Sequence, residues 1–123
     1  MSDPIAAELA RAADSEAPRE ERARDAAAIL RSARGYRSVA IYDAGDDEIS
    51  PIGSTGPPVH PFTKTPADRT VVEGRGVVVP ILGPESGIVM GALQVERDGD
   101  GAFPPGDVAF LEECAAALRP LYD

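Results

Sequence analysis

An α+β domain built on one antiparallel sheet is the fold this sequence predicts, and three observations carry the prediction. Apolar residues recur at helical spacing before Gly35, at strand spacing beyond it, and at helical spacing again after Phe103. The stretch GVVVPILGPESGIVMGALQVE, Gly76 to Glu96, sets two apolar runs around a glycine- and proline-containing turn, the pattern of a β-hairpin. With 43% apolar and 27% charged residues in 123, the chain has a globular balance and enough length for one core.

The elements follow in order. Ser2 or Asp3 caps a first helix with Pro4 in its first turn, and Ile5, Leu9 and Ala12 or Ala13 form its apolar stripe. Pro18 interrupts that pattern. From Arg19 to Arg34 a second helix places Ala23, Ala26, Ala27, Leu30 and Ala33 on one face, and Gly35 serves as its C-cap. The division expected is a helical extension over 1–17 and a domain over 18–123.

Ser38 to Ala44 is a β-branched and aromatic strand, joined through the turn Gly45 to Glu48 to the strand ISPIG. Ser54 to Arg69 holds four prolines and no sustained period, and reads as a loop. A short strand at Thr70 to Val72 precedes the long hairpin. In its second arm Ile88, Met90, Ala92 and Gln94 alternate with Val89, Gly91, Leu93 and Val95. Both sets are largely apolar, so both faces of the sheet are expected to be covered.

The C-terminal helix starts at the prolines Pro104 and Pro105 and carries two apolar stripes. One holds Val108, Leu111, Ala115 and Leu118; the other holds Phe110, Cys114, Ala117 and Leu121. Packing on a sheet consumes one stripe. The second predicts a homodimer through the terminal helices, with Ile5 to Ala13 folding back in the same chain as the competing cover.

Composition removes several classes of function. Twelve basic against twenty-one acidic residues give a formal charge of −9, which repels nucleic-acid backbones and anionic lipid surfaces, so neither is an expected partner. No run is long enough to span a membrane, and the first residues have no leader pattern; the expected location is cytoplasmic. The single cysteine, Cys114, sits on a helical apolar face as a small core residue. Asp98 and Asp100 lie in a glycine-rich turn without the remaining ligands of a calcium loop, and no metal or cofactor is expected.

The order of helix, strands, connecting segment, Val79–Pro80 strand, Gly91–Leu93 strand, and Phe103 followed by Asp107 at a helix start resembles a GAF domain over Ala26 to Leu121. The resemblance implies a GAF-like, profilin-like antiparallel sheet of five or six strands, terminal helices on one face and, in many members, a regulatory ligand on the other. Members typically cover the ligand face with helices between the early and late strands; here Ser54 to Arg69 takes that place. Reductases of free methionine sulfoxide and bilin-binding relatives use cysteines in the ligand-side segment, where this chain has none.

The candidate ligand-side residues are Tyr42, His60, Phe62, Arg75 and Gln94. Without a cluster of nucleophile, base and metal ligands, the sequence predicts a noncatalytic GAF-like sensory or interaction module with a shallow small-molecule effector site. The alternative is a small enzyme or metabolite-binding protein using the same face.

Overall fold

The computed structural model describes residues 4–44, 49–57, 70–73, 75–83, 88–99 and 103–122. Two helices, α1 (Pro4–Ala13) and α2 (Arg19–Arg34), precede the strands β1 (Ser38–Ala44), β2 (Ile49–Thr55), β3 (Val71–Glu73), β4 (Gly76–Leu82) and β5 (Val89–Glu96). Helix α3 (Pro105–Ala117) and a 3-10 turn, Arg119–Tyr122, close the chain. The period change at Gly35 has a local cause: this residue takes the left-handed conformation, φ 65 and ψ 34, and returns its N–H to the Arg31 carbonyl, ending α2.

The five strands form one antiparallel sheet in the order β2-β1-β5-β4-β3, as expected from the alternating patterns. Both prolines in it sit where a missing N–H is tolerated. Pro51 lies in the outer strand β2, beside a register shift at Ile41/Tyr42. Pro80 lies beyond the last β3 pair, Val71 with Val78, so only β5 flanks it among the described residues.

Alternation divides the sheet into two faces. Val39, Ile41, Val77, Val79, Ile81, Leu93 and Val95 join Ala23, Ala26, Ala27, Leu30, Leu111, Cys114 and Leu118 in one core beneath the helices. At Gly53 the α2 backbone comes so close to β2 that a Cβ would lie 2.6 Å from the Arg24 nitrogen, so the helix seats on the strand only over glycine. The other face presents Ser38, Ala40, Tyr42, Val78, Pro80, Ala92 and Gln94.

Two expectations change. Ser54 and Thr55, read as the start of a loop, are the last residues of β2, because they continue its pairing with Ala40 and Val39. Both stripes of α3 are covered within the chain: Phe110, Leu111, Cys114, Ala115, Leu118 and Leu121 are all buried. Helix α1 provides much of that cover, packing on α2, α3 and the 3-10 turn, with Leu9 and Ala13 fully buried in the common core. The fold-back of Ile5 to Ala13 in cis is therefore the arrangement found, and it removes the exposed stripe from which a dimer was inferred. Arg22 secures the link, donating from Nε to the Ala17 carbonyl at 2.9 Å and from Nη1 to the Ala13 carbonyl. The caps expected at Ser2 or Asp3 and the turns at Gly45 to Glu48 and 84–87 lie outside the described residues.

Candidate functional site

The face of the sheet turned away from the helices is where sequence and structure converge. Tyr42 on β1 and Gln94 on β5 are brought together, as their expected common face requires: the Tyr42 hydroxyl donates to Gln94 Oε1 at 3.0 Å. Both are buried. Burial pushes the Tyr42 phenol up from its ordinary range, and the charge of Glu96 adds to the rise, so the group is a neutral hydroxyl across physiological pH.

Arg75 is placed elsewhere. It stands exposed in the turn before β4, at the end of the sheet, where its carbonyl accepts from the Arg97 N–H at 3.0 Å. His60 and Phe62 lie outside the described residues. Among the described residues no group of histidine, cysteine, aspartate and glutamate side chains is arranged to hold a metal. No described helix is long and apolar enough to cross a membrane.

Between β1 and the outer strand β2 the same face carries a recess of about 230 Å³. Ser38, Val39, Ala40 and Tyr42 of β1 line one side of it, and Pro51, Ser54, Thr55, Gly56 and Pro57 the other. Ser38 was not singled out from sequence, since a serine at the start of a strand reads as turn chemistry. In the fold it is 1% exposed, and among the described residues its Oγ has no hydrogen-bond partner. A buried hydroxyl in that condition costs about 1–3 kcal/mol. Only its register on β1, opposite Glu96 on β5, places it here.

The β1 side is tied to the far side of the sheet through one backbone group. Tyr122, in the C-terminal 3-10 turn, donates its hydroxyl to the Tyr42 carbonyl at 2.6 Å. Arg19, at the start of α2, bonds Asp43 at 3.0 Å and lies 5.1 Å over the Tyr122 ring. Gly91 makes room for this arrangement: a Cβ there would overlap the Tyr122 hydroxyl and the Tyr42 carbonyl and lie 2.6 Å from Tyr122 Cζ. Strand β1 thus touches the recess with its side chains and the C-terminus with its backbone. Cys114 is on the opposite side, wholly buried in the helical core.

No family model matches the sequence, and no curated protein matches it. The structure matches solved ones. The free methionine-R-sulfoxide reductase of Neisseria meningitidis, solved with its substrate, superposes at a TM-score of 0.75 with 21% identity, over 96% of this chain and 86% of that chain. The GAF domain of a phosphoenolpyruvate-protein phosphotransferase from Acinetobacter gives 0.71 with 13% identity, over 99% and 94%. The nlh2 GAF domain of A. aeolicus, in an inactive state, gives 0.75 with 12% identity, over 96% and 93%. What is shared at such identities is the fold: this chain has the GAF-like α+β architecture.

The expectation that the chain is not an enzyme is corrected by the same comparison. A reductase of free methionine sulfoxide is built on this fold, so the absence of a recognisable catalytic cluster in the sequence does not exclude catalysis.

Proposed function

We propose that this chain is a GAF-like sensory module whose input is a small molecule held in the recess between β1 and β2. The single observation that carries the reading is the recess of about 230 Å³ on the sheet face turned away from the helices, lined by Ser38, Ala40 and Tyr42 of β1 and by the end of β2. Occupation would act on β1, and the Tyr122 hydroxyl on the Tyr42 carbonyl would relay a shift of β1 to the C-terminal turn.

The fold likeness to the N. meningitidis reductase supports a second reading, an enzyme using the same face. Cys114, the chain's one cysteine, sits behind the sheet and cannot present a thiol to the recess without a rearrangement of the core. Association with a second copy remains a proposal for a different surface than first inferred. The outer groove between α1 and α2, where Ile5 and Ile29 are half-buried beside Ala28, Ser32 and Ala33, is the surface available for it. A cytoplasmic location accompanies the proposal on the strength of the sequence.

A thermal-shift screen with nucleotides, oxo-acids, amino acids and haem, followed by turnover assays on any hit, tests both readings. A saturable shift without turnover supports the sensor, and conversion of the hit supports the enzyme. No shift with any class at millimolar concentration would remove the small-molecule input.

A further inference from the structure

The geometry points to a second site, at the end of the sheet, where Arg19 and Arg22 bind a compact organic carboxylate. Where α2 begins, β1 ends and the C-terminal turn closes, a recess of about 270 Å³ is lined by Arg19, Arg22, Asp43, Met90, Leu121 and Tyr122. It shares no described lining residue with the recess between β1 and β2. Both arginines are anchored in the fold. Arg19 bonds Asp43 from Nη2 at 3.0 Å and lies over the Tyr122 ring, while Arg22 donates from Nε and Nη1 to the carbonyls of Ala17 and Ala13. Nη1 of Arg19 and Nη2 of Arg22 have no partner among the described residues. Neither is one of the buried unpartnered atoms there, so solvent reaches both; the buried Nε of Arg19 takes no part.

The described lining sets two guanidiniums against one carboxylate, a local positive excess in a chain whose formal charge is −9. Burial holds the Tyr122 phenol well above its ordinary range, so it adds no negative charge near neutral pH. A planar guanidinium offers paired N–H groups that match the two oxygens of a carboxylate. Met90, Leu121 and the Tyr122 ring supply apolar surface for the rest of the molecule. The volume lies just below the range of drug-sized sites, roughly 300–1,000 Å³, and suits a compact acid. Such a ligand would join the α1–α2 corner that Arg22 secures to the C-terminal turn on which Arg19 lies.

Benzoate, its neutral near-isostere benzamide, acetate and inorganic phosphate test this on the full chain at fixed ionic strength. Amide chemical shifts of Asp43, Met90 and Tyr122 report occupation, and those of Ala40 and Thr55 report the recess between β1 and β2. Benzoate is expected to move the first set saturably, with benzamide, which lacks the charge, and acetate, which lacks the ring, each at least about tenfold weaker. Arg22→Gln should weaken benzoate by about tenfold or more. That variant also cuts the tie to α1, so Asp43→Asn supplies the independent check. The Arg19–Asp43 pair is partly exposed and adds little to the fold, while its loss frees Arg19 Nη2 and removes the competing carboxylate. Benzoate should then bind about threefold or more tighter. Benzamide or acetate matching benzoate, or phosphate exceeding it, would overturn the carboxylate class. Benzoate affinity unchanged or lowered in Asp43→Asn would overturn the role of the arginines. Benzoate shifts confined to Ala40 and Thr55, or absent at millimolar concentration, would remove the site and leave the reading of the other face to its own screen.

Discussion

Gly91→Ala is the most discriminating single substitution, because one methyl group meets both halves of the link between β1 and the C-terminus. The added Cβ would overlap the Tyr122 hydroxyl and the Tyr42 carbonyl oxygen. The tyrosine can swing away, at the cost of its hydrogen bond to Tyr42, about 0.5–1.5 kcal/mol. The carbonyl belongs to the central strand pair and can move only if β1 and β5 part, an overpacking penalty of about 1–3 kcal/mol. Together these give about 1.5–4.5 kcal/mol out of a typical total of about 5–15 kcal/mol. At about 4 °C per kcal/mol for a domain of this size, the melting temperature should fall by about 6–18 °C.

Urea unfolding followed by circular dichroism measures this effect, and Tyr122→Ala supplies the control. In that background Gly91→Ala should cost less by about 1 kcal/mol, since the side-chain half of the overlap is gone while the backbone half remains. A Gly91→Ala protein within about 0.5 kcal/mol of the parent would refute the account of why glycine stands there.

Leu9→Ala should destabilise the fold by about 2–5 kcal/mol, because Leu9 is fully buried under α3; a cost below about 1 kcal/mol in urea titration would show α1 to be peripheral. Gly35→Ala should cost about 1 kcal/mol from backbone conformation alone, since nothing lies within 4 Å of the added Cβ; an unchanged midpoint would contradict the left-handed cap. Tyr36, Tyr42 and Tyr122 are all pushed up from the ordinary phenol range, in each case first by burial. A raised native value favours the protonated form in the fold, so their contribution is intact below about pH 10, where the unfolded phenols begin to ionise, and is lost as pH climbs through the native values. Urea midpoints should therefore fall steeply above about pH 10, and Tyr36→Phe, which also removes a buried hydroxyl with no partner among the described residues, should flatten that fall and raise the neutral-pH midpoint. A midpoint that rises with alkaline pH would reverse the sign of the argument.

Local chemistry was enough to write the elements into the sequence. The helical period of Arg19 to Arg34, the glycine that must end it, and the two-residue alternation of Val89 to Glu96 are properties of neighbouring residues, and each survives unchanged in the fold. Tyr42 and Gln94 were legible as candidates for one face of the sheet, but that they meet was decided by the pairing of β1 with β5, which no local pattern reports. The fate of the second stripe on α3 was not legible. Helical spacing says that Leu118 and Leu121 must be covered, but the cover could be α1 or another chain, and only the path of the chain after Ala13 decides for α1. Gly91 stood out in the sequence as part of a strand signature; its physical reason is a tyrosine 31 positions later, which no local pattern reports. Ser38 is the clearest case. Its residue type predicts solvent or a turn, and its place on β1, beside β5, instead buries its hydroxyl with no partner among the described residues, because burial is a property of the assembled sheet and not of the serine.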